Sequence, residues 1–300
     1  MKISFTNTQF FGIFITFLGG ILWGFSGVCG QFLFVVKSLN ADWLVPYRLF
    51  CAGVILVIYY AITKPKILFL PLKDKRHLPS LMIYAILGLM MTQYSYFYAI
   101  ELSNAAVATV IQYSAPAMIL MIACFLEKRL PNLIELIALI LAMLGVVIIA
   151  THGHFDNLVI SSKALFYCLL SAACVCVYNF VPKKLNQKYP IGLVLGWGLI
   201  IGGVILSVFM RVWELNGVSD LGGYLALLGV IMFGTVFAFS FYMLGVKLIG
   251  ASKASLIASI EPASAAFFAY FWLGTKFAFL DFVGFVLIMS CIILLAKKGA

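Results

Sequence analysis

Residues 87–117, LGLMMTQYSYFYAIELSNAAVATVIQYSAPA, return in altered form at residues 233–263, FGTVFAFSFYMLGVKLIGASKASLIASIEPA. Leu87-Gly88, Tyr96, Ala105, Ala108, Ile111 and Pro116-Ala117 match Phe233-Gly234, Tyr242, Ala251, Ala254, Ile257 and Pro262-Ala263, every pair 146 positions apart. Self-similarity at a fixed offset marks a duplicated unit. Working outward from the match, each copy comprises five apolar segments, residues 10–151 in the first copy and 161–296 in the second. Five is odd, so a chain crossing a membrane five times per copy lays the second copy down inverted, as in transporters that hold their site between two halves.

Composition supports the membrane reading. Hydrophobic residues are 64% of the chain and charged residues 10%, against roughly 45–50% and about 25% in soluble domains. Apolar runs of the length a ~30 Å hydrocarbon core demands recur throughout. Without water to satisfy the backbone, such runs are helices. Ten are predicted, at 10–36, 43–63, 79–99, 104–126, 132–151, 161–182, 190–213, 221–246, 251–273 and 278–296, and are called the first to tenth segments below. Lys64-Pro65, Leu70-Pro71, Leu130-Pro131 and Tyr189-Pro190 punctuate the linkers. The turns at Leu102-Ser103-Asn104 and Ile249-Gly250 are very short and occupy matching places in the two copies. The expected fold is an all-α integral membrane protein of ten transmembrane helices, arranged as two inverted five-helix repeats.

Lysine and arginine distribute unevenly across the alternating linkers. Lys37, Lys163, Arg211 and Lys276 fall on one side and fifteen on the other, while Arg48, inside the second segment, completes the 20. By the positive-inside rule both termini are cytoplasmic. The net charge of +10 is therefore a topology signal rather than a nucleic-acid footprint, and no nucleic-acid partner is expected. The seven cysteines lie within apolar runs, with neither zinc spacing nor a disulfide framework. The first segment is too long for a cleaved leader and stays as a helix. There is no P-loop, no H-E-x-x-H and no nucleophile elbow. No catalytic residue, metal or cofactor is expected, and the chain is not read as an enzyme.

Two charges lie deep within segments. Glu261 sits about ten residues into the ninth, where a carboxylate costs roughly 2.5–3.5 kcal/mol on insertion scales, so it should face the interior with a partner or a proton. Next to it Pro262 removes a backbone donor. The matching positions in the fourth segment are Ala115-Pro116, so the acid belongs to one copy only. Pro116 and Pro262 are expected helix breaks, and Glu261 a coupling site; the plainer reading is an ion-pair partner beside two kinks. Arg48 lies little more than a turn into the second segment. It either pairs with Glu261, grips a substrate carboxylate through its planar fork, or snorkels to the headgroups.

Polar and aromatic side chains recur at similar depth: Trp23, Ser26 and Gln31; Gln93, Tyr94, Tyr96 and Tyr98; Thr109, Gln112 and Tyr113; Tyr178 and Asn179; Ser240 and Tyr242. From these, Trp23, Tyr96, Gln112, Tyr113, Tyr178, Asn179 and Tyr242, with Arg48, form the candidate substrate-binding set. Aromatics with a few amides suit a small, partly apolar organic molecule; interhelical hydrogen bonds and interfacial aromatic belts are the alternative. Gly20-x-x-x-Gly24 allows close helix approach.

These residues carry a resemblance. Leu22-Trp23-Gly24-Phe25-Ser26-Gly27, Tyr47-Arg48-Leu49 and Ser103-Asn104-Ala105-Ala106-Val107-Ala108-Thr109 occur in the first half. Phe125-Leu126-Glu127-Lys128-Arg129-Leu130 closes the fourth segment, and Gly250-Ala251-Ser252-Lys253-Ala254-Ser255, Glu261-Pro262 and Trp272-Leu273-Gly274-Thr275-Lys276-Phe277 mark the ninth. In order and spacing the chain resembles the EamA-type family of the drug/metabolite transporter superfamily, and within it the YicL-like bacterial inner-membrane proteins. It departs from the family pattern at Leu126-Glu127-Lys128-Arg129, usually Leu-Gly-Glu-Arg, and at Thr275, often an acid.

The resemblance implies secondary transport, commonly efflux of amino acids or other metabolites, through a cavity between the halves. The expected protein is a multi-pass exporter of a small organic metabolite in a bacterial inner membrane, working by alternating access, with the lipid bilayer, a small-molecule substrate and protons as partners. Two alternatives stand beside it. One is a membrane-embedded enzyme or flippase for lipid head groups, which would need several clustered acids. The other is a non-transporting scaffold, which would have no central cavity.

Overall fold

A computed structural model describes residues 5–126, 128–152, 159–249, 254 and 257–298. Among them all regular structure is helical. Gly250, Ala251, Ser252, Lys253 and Ser255 of the ninth-segment motif and Glu127 of the closing motif lie outside the described residues. The first segment runs Phe5–Val35 and the second Ala41–Thr63, started by Asn40, whose side chain accepts from the Trp43 N–H. The fifth is Leu133–Thr151, the sixth Ser162–Phe180, the seventh Ile191–Met210 and the tenth Phe279–Lys298. Asn132 and Glu135 close a reciprocal capping box on the fifth.

Four segments are interrupted. The third is α-helical over Leu78–Ile83, π-helical over Tyr84–Met90 and α-helical again over Met91–Leu102. The eighth repeats this as Leu221–Leu228, Gly229–Phe237 and Ala238–Ile249. Shifted by 146, the first π stretch falls inside the second. Such widened turns are rare and gather at functional sites.

The fourth segment, predicted as one helix over 104–126, is two, Ala105–Gln112 and Ala115–Leu126. The ninth restarts at Glu261 and runs to Leu273. Ala115 and Glu261 are repeat mates, and in each the following proline is the second residue of the new helix. A proline there needs no N–H of its own but leaves the carbonyl four residues earlier without its helical donor.

Seven described helices are long and apolar enough to cross a membrane. The third segment, polar at Thr92, Gln93 and Ser95, is not among them, nor is the thirteen-residue helix Glu261–Leu273 of the ninth or the shorter apolar stretch Phe279–Leu294 of the tenth.

Packing runs across the repeat boundary. The second segment packs on the seventh, the fifth on the tenth, the first on the eighth and ninth, and the third and fourth on the sixth. Exchanging the two halves maps this set of neighbours onto itself. Glycine permits the closest approach. A Cβ at Gly24 would stand 2.0 Å from Ser264 Oγ and 2.7 Å from the backbone of Glu261 and Ala265, so the first segment lies directly against the start of Glu261–Leu273.

Charged ties close two opposite ends of the second segment. Before it, Lys37 Nζ reaches Asp220 Oδ2 at 2.6 Å, joining the end of the first segment to the start of the eighth. After it, Asp74 Oδ2 accepts from Lys188 Nζ and Tyr189 OH at 2.7 Å and sits 2.8 Å from His77 Nδ1, joining the start of the third segment to the end of the sixth. Asp74 and Asp220 are themselves 146 positions apart.

Candidate functional site

Where the halves meet, the bundle surrounds a partly open cavity of about 530 Å³. Each interrupted segment presents its irregular turn to it. Gly88 and Gly234 come from the two π stretches, Gln112, Tyr113 and Pro116 from the first break, and Ala258, Ser259 and Glu261 from the second. Trp23, Arg48, Tyr96, Tyr178, Asn179 and Tyr242 complete much of the wall. Every side chain of the candidate binding set therefore faces one space, as do Glu261 and Pro116. Pro262 is buried and does not line it.

Arg48 is 5% exposed, which rules out snorkelling. Nor does it form an ion pair with Glu261. Its Nη1 donates to Gln93 Oε1 at 2.8 Å, its Nε to Thr235 Oγ1 at 3.3 Å and its Nη2 to the Gly234 carbonyl at 3.4 Å. The guanidinium lies 4.5 Å from the centre of the Phe97 ring. A fork held by neutral acceptors and an aromatic face keeps its positive charge without spending it on a carboxylate. The Gly234 carbonyl is within reach because that residue lies in the π stretch and has no side chain: a Cβ there would meet Ser26 Oγ at 1.9 Å.

Glu261 Oε2 accepts from Tyr113 OH at 2.8 Å. The same hydroxyl is 3.3 Å from the Ala258 carbonyl, the acceptor for which Pro262 has no N–H. Tyr113 thus joins the broken turn of the fourth segment to that of the ninth. Trp23 and Tyr242 pack with ring centres 5.3 Å apart, Tyr96 OH shares a 2.7 Å hydrogen bond with Thr109, and Gln112 donates to Ser171 Oγ. Asn179 turns its amide onto the Val175 carbonyl. Below the cavity wall Gln31 accepts from the Ala105 N–H at 2.9 Å and donates to Thr275 Oγ1 at 3.0 Å, pinning the start of the fourth segment to the end of the ninth.

Thr235, Ser171 and Phe97 hold the site together and are absent from the sequence-derived set. Thr235 and Ser171 are polar residues inside apolar runs, a signal that could have found them; Phe97 has no such signal. The described residues contain no group of three His, Cys, Asp or Glu placed to hold a metal. The cysteines are free thiols, buried except for the half-buried Cys51. Chemically, the cavity offers one acid, one fixed cation, amides and aromatic faces, which suits binding better than bond-making.

A family model for EamA-like transporters matches this chain twice, over residues 10–151 and 162–297. The chain belongs to the EamA-like transporter family. Among its EamA relatives, a Salmonella typhimurium protein named as the uncharacterized inner membrane transporter YicL is 33% identical over 285 residues, covering 95% of each chain. An uncharacterized transporter of Archaeoglobus fulgidus is 21% identical over 204 residues, covering 68% of this chain and 72% of its own. One crystal structure of a protein at 15% identity superposes with a TM-score of 0.64, covering 96% of this chain and 98% of that one, which establishes a shared fold for this EamA chain.

Proposed function

We propose that this chain is a secondary transporter that exports a small organic metabolite, such as an amino acid, by alternating access. On this reading ten segments cross a bacterial inner membrane as two inverted repeats, residues 10–151 and 161–296, with both termini cytoplasmic. Family membership and the inner-membrane naming of the Salmonella relative support the class and the compartment. The observation that carries the mechanism is the cavity between the halves, into which both proline-marked breaks and both deep charges project. Broken helices at matching places in two repeats are how transporters build a central site.

Glu261 is the proton-handling group in this reading. Trp23, Tyr96, Gln112, Tyr113, Tyr178, Asn179 and Tyr242 form the substrate surface, with Arg48 as a fixed positive charge on its wall. Arg48 already engages three acceptors, so it attracts a substrate anion through its field and its remaining N–H groups.

A thermal-shift screen of the purified protein against amino acids, nucleosides, polyamines and vitamins should find a stabilising ligand. Counterflow of that ligand in proteoliposomes should then be lost, or lose its pH dependence, in Glu261→Gln. Unchanged counterflow across pH in that variant would sink the coupling role.

A further inference from the structure

We propose that Tyr113 is a positioning residue that reads the charge of Glu261 and passes it to the broken backbone of the ninth segment. The inference rests on Glu261 being the proton-handling group. Tyr113 OH is within reach of two acceptors, Glu261 Oε2 at 2.8 Å and the Ala258 carbonyl at 3.3 Å. A phenol has one proton to donate. While Glu261 is ionised, the charge-assisted bond is roughly twice as strong as a neutral one, so the proton points to the carboxylate. The Ala258 carbonyl is then left at the longer distance.

Protonation of Glu261 reverses the order. One proton from water adds to the carboxylate, and the charge of the side chain goes from −1 to 0. The new acid O–H donates to the phenol oxygen, and the phenol proton turns to the Ala258 carbonyl. No bond within Tyr113 breaks. The carbonyl that Pro262 leaves without a helical donor gains one, and the turn at Ser259-Ile260 is drawn toward the turn at Tyr113-Ser114.

The placement makes this specific. Tyr113 lies in the fourth-segment break, between Gln112 and the restart at Ala115, so any movement of its hydroxyl is transmitted from one repeat to the other. Its repeat mate is Ser259, so only one copy supplies a phenol here. The titratable and charged groups that line the cavity with the pair are Arg48 from the second segment, Tyr96 from the third, Tyr178 from the sixth and Tyr242 from the eighth. The first segment faces it with Trp23 and the glycines Gly20 and Gly24, the seventh with Leu195 and Leu199, the tenth with Ile292. Among the described residues the Glu261 carboxylate is hydrogen-bonded by Tyr113 and by none of these groups.

The test uses the full chain in phosphatidylethanolamine/phosphatidylglycerol vesicles, taken from about pH 9 to about pH 5, a span that brackets shifted carboxylates. Infrared difference spectra follow the protonated-carboxyl band and the tyrosine C–O band. Hydrogen exchange follows the amides around the ninth-segment break. In the wild type, acidification should raise the carboxyl band, shift one tyrosine band and increase protection at the break. Tyr113→Phe should keep the carboxyl band and lose both the tyrosine shift and the pH-dependent protection. Glu261→Gln should lose all three, which keeps the proposal testable should Tyr113→Phe not fold. A Tyr113→Phe protein whose exchange still follows pH overturns the proposal alone, as does a tyrosine shift that survives in Glu261→Gln. Absence of a carboxyl band in the wild type overturns the proton-handling reading and this proposal with it.

Discussion

Lys188 donates to Asp74 at 2.7 Å across the repeat boundary, and 146 positions further along the chain Asp220 accepts Lys37 at the other end of the bundle. The Asp74 tie has more donors, since Tyr189 and His77 share the same oxygen. Its carboxyl side chain is 11% exposed, against 48% for Asp220. Lys188 first, then Tyr189 and His77, hold the Asp74 carboxyl well below the usual carboxylate range, while Lys37 lowers that of Asp220. Asp74→Asn should therefore lower the midpoint of thermal unfolding in detergent by a few degrees, and Asp220→Asn by less, with only the second effect erased by salt. The sign with pH follows from the depressed pKa. The advantage of wild type over Asp74→Asn is fully present above the unfolded value of about 4 and shrinks as pH falls through the lower native value. An advantage that grows on acidification would contradict the assignment.

The same ties should govern access. Asn179 is exposed and lines the cavity. Labelled with an impermeant maleimide, Asn179→Cys should react faster from the Asp74 face when combined with Asp74→Asn, and slower when combined with Asp220→Asn. Equal rates in both backgrounds would show that the ties do not bias the conformation.

Arg48→Lys keeps the charge but not the fork. Loss of hydrogen bonds to Gln93, Thr235 and Gly234 should cost about 1.5–3 kcal/mol, the range for bonds to a charged group. Denaturation of the purified variant measures it. A variant as stable as wild type would mean that the fork contributes nothing beyond its charge.

Gly24→Ala and Gly274→Ala separate close packing from backbone conformation. At Gly24 the added Cβ meets backbone of Glu261 and Ala265, so overpacking should cost about 1–3 kcal/mol and disturb ligand-dependent thermal shifts. At Gly274 nothing lies within 4 Å, but φ is +64°, so the cost is about 1–2 kcal/mol of strain and the thermal shifts stay intact. The two variants should thus differ in binding rather than in stability.

Gln31 is 5% exposed and satisfies the first N–H of the fourth segment. Gln31→Leu leaves that donor and Thr275 without this partner, at about 1–3 kcal/mol. Thermal unfolding should report the loss, and Gln31→Glu, which keeps the acceptor, should recover part of it.

Much of this arrangement was legible in the chain, for identifiable reasons. Glu261 and Arg48 stood out because a charge in an apolar run is costly, and Pro116 and Pro262 because the 146-residue offset aligned them. The tyrosines and amides that line the cavity were visible as polar groups at similar depth. What Arg48 does with its fork was not legible. Its acceptors lie 45 and about 190 positions away, and one of them is a backbone carbonyl that identifies itself only through three-dimensional placement. The π stretches were equally hidden, because widening a turn leaves the apolar pattern almost unchanged. Pro116 marked a break in the fourth segment, but its place at Tyr113-Ser114, before the proline, was masked by the apolar run on both sides.

The unequal ties at the two ends of the second segment have a thermodynamic meaning. Under alternating access the halves of a duplicated chain exchange roles, so a perfectly repeated sequence would populate its two states equally. Three side-chain donors on Asp74 against one on Asp220 would remove that degeneracy, and each 1.4 kcal/mol of difference tilts populations tenfold. On the proposed alternating-access reading, divergence between the copies would set the resting equilibrium, and drift at either aspartate would retune it without touching the cavity.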